Sequence, residues 1–135
     1  MKVEALLIEE KILEKDFPMY IQNKGFSCIK CNRINKNLII SVLREIRDNT
    51  LQWDKINDII DFELNNFFGV GSPDFFIYNK KEFFICEFKS RKDYLHKTQF
   101  NWISKNRHLP IMIAVVLGIK DFKPYKLLQV KKKKR

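Results

Sequence analysis

The chain has 135 residues, 45% of them hydrophobic and twelve of them Phe, and its 26 Lys and Arg against 16 Asp and Glu give a net charge of +10. That length and apolar content suffice for one packed domain without staples and exclude a disordered chain, while no apolar run nears the roughly 20 residues of a membrane span and no secretion signal opens the sequence. The expected location is therefore cytoplasmic, with no membrane partner, and the charge points to nucleic acid: residues 120–135 hold eight Lys/Arg against one Asp, residues 78–107 eight against three, and residues 1–77 ten against twelve.

Residues 2–15 are expected to form a helix, because Val3, Leu6, Leu7, Leu13 and Phe17 share a stripe of about 120° at 3.6-residue periodicity. Glu10 falls near the middle of that stripe, Glu14 at its edge and Glu9 outside it. A carboxylate so placed either snorkels to the helix margin or serves a site. Asp16-Phe17-Pro18 is expected to interrupt the helix, since Pro disfavours the helical region at the residue before it. Residues 19–24 predict a short helical turn closed by Gly25 as a left-handed cap, and residues 26–34 the first core strand. Cys28-Ile29-Lys30-Cys31 has the spacing of half a zinc knuckle. Only Cys86 remains to partner it, and neither His96 nor His108 has a second ligand at zinc-like spacing, so the pair reads as reduced strand cysteines.

Asn35-Lys36-Asn37 is expected to turn, and Leu38, Ile39, Val42, Leu43 and Ile46 follow at helical spacing, with a hairpin strand over 38–43 as the alternative because Ile39, Ile40 and Val42 are β-branched. Thr50 is expected to cap a helix over 51–66 whose stripe is Trp53, Ile56, Ile60, Leu64 and Phe67.

Two short apolar runs then flank Asn79-Lys80-Lys81-Glu82, which predicts adjacent strands joined by a tight polar turn. Asp74 opens the first strand. Glu87 and Lys89 lie two residues apart in the second and so share a face. That second run is apolar on both parities, as in a strand covered on both sides, where each charge costs several kcal/mol unless compensated. The compensation inferred is a divalent metal, Mg²⁺ or Mn²⁺, with Asp74, Glu87 and the backbone carbonyl of Phe88 as ligands. Lys89 would then hold or deprotonate the attacking water, or stabilise charge building on phosphate. The competing reading is a surface hairpin with an incidental Glu/Lys pair.

Beyond the hairpin, residues 93–95 read as a turn and 97–107 as a helix, in which Gln99 either caps the helix at His96 or reaches the site. Pro110 ends the helical region, residues 111–117 form a strand expected to close the sheet, and residues 131–135 are expected to be a mobile basic tail.

Ser72-Pro73-Asp74, a gap of twelve residues, then Glu87-Phe88-Lys89 resembles the PD-(D/E)xK signature of restriction-endonuclease-like nucleases. With Gly69, Leu95, Gln99 and Trp102 in register, the pattern is most similar to the VRR-NUC branch and next to archaeal Holliday-junction resolvases, over about a quarter of the chain. The resemblance implies an α/β fold with a restriction-endonuclease-like core, α-β-β-β-α-β with a mixed sheet and flanking helices, in one nuclease domain over 1–130 with a helical insertion over about 37–67. It implies a metal-dependent DNA endonuclease with Asp74, Glu87, Lys89 and Gln99 catalytic, Gln99 beside the metal-bound water or Lys89. It also implies an acid from the first helix as a further catalytic and metal-binding residue. Glu10 is the candidate, Glu9 and Glu14 are fallbacks, and Glu45 or Glu63 are the alternatives if the insertion lies nearer the site. DNA contacts are expected from Lys80, Lys81, Arg91, Lys92, Lys97, Lys131, Lys132, Lys133, Lys134 and Arg135. No segment reads as a recognition helix rich in Arg, Asn and Gln, so selectivity is expected for DNA shape: branches, flaps or four-way junctions, the last suited to a homodimer. The alternatives are an end-directed exonuclease of the same fold and a non-catalytic DNA-binding or assembly module.

Overall fold

A computed structural model describes residues 3–90 and 94–116. Five strands, β1 (Glu4–Ile8), β2 (Ser27–Lys30), β3 (Phe75–Tyr78), β4 (Phe83–Ser90) and β5 (Ile111–Val116), form one mixed sheet in the order β1-β5-β4-β3-β2. The β2–β3 and β3–β4 pairs are antiparallel, and β5 lies parallel to both β4 and β1. The β3–β4 turn closes on Asn79, whose Oδ1 accepts the N–H groups of Lys81 and Glu82 at 2.8 Å each, an Asx turn that makes the hairpin tight.

Period-two alternation splits the core. Phe76, Ile85, Ile111, Ile113 and Val115 face a helical layer, whereas Phe75, Ile77, Cys86, Phe88 and Ala114 face the opposite side. The helical layer comprises α2 (Lys36–Thr50), α3 (Trp53–Asp58), a π turn at Ile59–Glu63, a 3₁₀ turn at Leu64–Phe68, and α4 (Lys97–Lys105). Ile39, Leu43, Ile46, Ile56, Phe67 and Trp102 bury against the sheet from this layer, each such side chain contributing about 1.5–3 kcal/mol. The other face is covered by α1 (Phe17–Gln22), whose Phe17 ring sits 5.1 Å from that of Phe75 and 5.2 Å from that of Phe88. β4 is thus covered on both sides, as its two apolar parities require.

The structure departs from the expectations in five places. Residues 2–15 hold a strand, β1, followed by a 3₁₀ turn at Glu14–Asp16, because Leu6 and Ile8 pack inward while β1 supplies the second hydrogen-bonding partner that β5 needs. β5 therefore lies inside the sheet and does not close it. Pro18 begins a helix instead of breaking one: it occupies the first turn of α1, where its missing N–H costs nothing. β2 stops at Lys30, because Asn32 Oδ1 accepts from Asn35 N–H at 3.1 Å and turns the chain into a 3₁₀ segment. Thr50 ends α2 by donating to the Ile46 carbonyl at 2.6 Å, and Leu51 at φ 59° turns the chain away, so the helix expected over 51–66 is divided into α3 and two irregular turns. The hairpin alternative over 38–43 is likewise replaced by α2. Cys28 lies half-buried in β2 with Cys31 buried just beyond it, and burial pushes both thiols up to about 12.

Candidate active site

Glu87 and Lys89 lie on the face of β4 that carries Phe83 and Ile85, under α4, and are 2% and 5% exposed. Their register opposite Ile113 and Val115 of β5 surrounds them with aliphatic walls. Lys89 Nζ approaches Glu87 Oε2 at 3.5 Å. The surface-hairpin alternative does not describe this pair, since an incidental pair would lie in water.

Asp74 reaches the same end of the sheet from β3. Its backbone carbonyl accepts the Cys31 N–H at 2.8 Å and so extends the β2–β3 ladder past Phe75. On the other side Pro73 would face Phe88 in the continued ladder and cannot donate to it. The Asp74 side chain closes that gap, its Oδ2 accepting the Phe88 N–H at 3.3 Å. Pro-Asp thus sets where β3 begins, while the Asp74 carboxylate crosses to β4. The contact between Asp74 and Phe88 is made through the Phe88 N–H; the Phe88 carbonyl is a candidate ligand by proximity alone.

Gln99 performs both of the roles weighed for it. Its Oε1 accepts the His96 N–H at 2.9 Å, capping α4, and its Nε2 donates to Glu87 Oε2 at 2.8 Å. One amide therefore couples the start of α4 to the buried carboxyl. Glu87 Oε1 is buried with no hydrogen-bond partner. Burial foremost, and then the nearby Asp74 carboxylate, push Glu87 up to about 8 against the opposing pull of Lys89. Two carboxyl groups close enough to hydrogen-bond, one of them buried with an oxygen that finds no donor, form a site that a hard divalent cation would satisfy. On that observation Asp74 and Glu87 fit a metal.

Glu10 is not carried on a helix. It lies in the irregular segment after β1 and is exposed, because the residues expected to carry it on a helix form a strand that ends at Ile8. Glu9, Glu14 and Glu45 are exposed as well, and Glu63 is engaged by the His108 imidazole. Among the described residues, no group of three or more His, Cys, Asp or Glu could hold a metal ion. Of the basic residues expected to bind DNA, Lys97 stands exposed at the start of α4, two residues from Gln99. Lys80 and Lys81 occupy the far end of the hairpin, about 20 Å from Glu87 at the rise of a strand, and so do not border the site. Arg91, Lys92, Lys131, Lys132, Lys133, Lys134 and Arg135 lie outside the described residues.

The structure adds a residue that the motif reading passed over. Gly71, at φ 81°, brings the segment before Asp74 against α4 so closely that a Cβ would stand 2.2 Å from the Thr98 carbonyl oxygen. The Trp102 indole donates to the Asn66 carbonyl at 2.6 Å and pins the same segment one turn further along α4. Leu95 is buried in the core below. A Gly two residues before a Pro was the available signal, but only the partner surface shows what it is for. No protein-family profile, curated protein or solved structure matches the chain.

Proposed function

We propose that the protein is a divalent-metal-dependent nuclease with a restriction-endonuclease-like core, hydrolysing phosphodiester bonds of DNA with selectivity for branched or flapped structure. The observation that carries this reading is the buried Glu87-Lys89 pair on β4, met by Asp74 from β3 and Gln99 from α4, with Glu87 Oε1 left unpartnered. The order α1-β2-β3-β4-α4-β5, with β4 and β5 parallel around α4, supports it, β1 being an addition at the sheet edge and α2 and α3 an insertion.

Asp74 and Glu87, with the Phe88 carbonyl, are the groups that would hold Mg²⁺ or Mn²⁺. When bound, such a cation supplies Lewis-acid stabilisation of phosphate and lowers the pKa of water. Lys89, whose ammonium cannot be a ligand, is placed to orient the nucleophile or neutralise charge developing on phosphate. Gln99 fixes the Glu87 carboxylate so that one oxygen stays free. Lys97, exposed at the start of α4, would hold the polyanion without reading its sequence, and a two-fold dimer would present two such sites to a four-way junction.

The test is cleavage of single-stranded, duplex, flapped and four-way-junction DNA with Mg²⁺ or Mn²⁺, using Asp74→Ala and Glu87→Ala as controls. Both variants are expected to lose turnover and keep most DNA affinity; wild-type turnover in either would remove the reading.

A further inference from the structure

The 3₁₀ turn at Leu64–Phe68 and the exposed edge of α4 enclose a cleft of about 410 Å³, within the range of roughly 300–1,000 Å³ typical of ligand pockets. Four amides line it: Asn65 and Asn66 from the turn, and Asn101 and Asn106 from α4 and its C-terminal cap. Asn106 is buried with its amide donor engaged, whereas Asn65, Asn66 and Asn101 are exposed and Asn66 is tied only through its backbone. Asn106 Nδ2 donates to the Trp102 carbonyl at 2.8 Å, and the Asn66 carbonyl accepts the Trp102 indole N–H at 2.6 Å. With that N–H engaged, the buried Trp102 gives the cleft an apolar floor and no donor. Lys105 places a cation at the rim.

Amides carry a donor and an acceptor on one planar group, which is the complement of a nucleobase edge, and Asn pairs in bidentate fashion with adenine for this reason. Bases paired and stacked inside a duplex cannot enter a cleft of this volume, but an unpaired base presents its pairing edge. A cation beside amides suits a nucleotide over an uncharged ligand. The two segments that line the cleft also carry active-site residues: the turn leads through Gly69 and Gly71 to Asp74, and α4 carries Gln99, which holds Glu87.

We propose that this cleft is a subsite for one unpaired nucleotide of the nucleic-acid strand, seated beside the phosphate that reaches Asp74 and Glu87. It rests on the nuclease reading only for what that neighbouring phosphate undergoes. The selectivity expected from the sequence was one of shape alone; three exposed amides, Asn65, Asn66 and Asn101, none of them on a recognition helix, converge in the fold to add base contacts at an unpaired position.

The experiment uses the whole protein in EDTA, so that binding is read without cleavage. Fluorescence anisotropy is measured for a labelled duplex that is blunt or carries a short single-stranded overhang, with wild type, Asn101→Leu and Asn101→Ala. Asn101 is exposed on α4, so both variants should fold. A seated base contributes about 1–3 kcal/mol, so the overhang should tighten wild-type binding at least about fivefold. Asn101→Leu, which narrows the cleft, should remove that gain and leave blunt-duplex affinity unchanged, with Asn101→Ala intermediate. In a Trp53→Phe background, deoxyadenosine monophosphate should perturb the Trp102 emission and inorganic phosphate should not. Equal loss for both duplexes, no loss for either, or equal effects of phosphate and nucleotide would overturn the subsite. Overhang preference lost in Asn101→Leu, in a protein that cuts no substrate, would sustain the subsite and sink the nuclease; cleavage without any overhang preference would do the reverse.

Discussion

Replacing Glu87 by Gln should change how the stability of the metal-free protein depends on pH, and the structure sets both sign and size. The carboxyl titrates at about 8 in the folded chain against an ordinary 4.5, chiefly because it is buried and then because Asp74 is near. Below pH 4 the native and unfolded states are both protonated and the group contributes no pH dependence. As pH rises from about 4.5 to about 8 the unfolded chain releases the proton while the native chain retains it, so native stability falls; above about 8 the loss is complete. At 1.36 kcal/mol per pH unit that interval corresponds to a ceiling of about 5 kcal/mol, of which roughly 2–3 kcal/mol should be measured once the site relaxes and admits water. Glutamine keeps the shape and an acceptor for Gln99 but has no proton to lose. Up to about pH 8 Lys89 faces a neutral group in both proteins, and only above it does the wild type alone offer Lys89 an anion. Urea denaturation in EDTA from pH 5 to pH 9 should show the difference between wild type and variant changing steadily in favour of Gln. At pH 8.5, Mg²⁺ or Mn²⁺ at about 100 times its Kd should return about 2.7 kcal/mol to the wild type and much less to the variant. Parallel pH curves would refute the assignment of a proton to native Glu87.

Gly71→Ala should destabilise by about 2–4 kcal/mol in the same denaturation assay, since φ is positive and the new Cβ meets the α4 backbone; a change under about 1 kcal/mol would show that the segment moves freely off the helix. Gln99→Ala removes the cap at His96 and a buried bond to Glu87 together, and should cost about 2 kcal/mol by urea titration, whereas a neutral result would make the amide idle. Lys89→Ala should lower the saturated cleavage rate more than it weakens metal affinity; a large shift in metal titration at an unchanged rate contradicts its role. Deleting residues 131–135 should weaken binding to all DNA forms alike and flatten the log–log salt dependence by up to ~4, because every phosphate looks the same to a lysine; loss of junction binding alone would mark a structured recognition element.

What the sequence determined by itself is what short-range periodicity encodes. Residues 75–78 and 83–90 alternate or run apolar on both parities around a polar Asn-led turn, and they form a hairpin with Glu87 and Lys89 on one face wherever the sheet is placed. The spacing in residues 38–46, the Gly25 cap at φ 92° and the strand at 111–116 are legible for the same reason. Tertiary structure decided what depends on a distant partner. The first apolar stripe reads as a helix, and it is a strand because β5 has a free edge; that choice leaves Glu10 exposed in the bend after β1. Gln99 could be read as cap or site residue from spacing alone, and it is both because α4 crosses above Glu87. Asn65, Asn66, Asn101 and Asn106 carry no motif at all, since their convergence depends on Gly71 letting one segment lie against the α4 backbone. Contacts of this kind follow from which surfaces meet, and no window of local sequence contains that information.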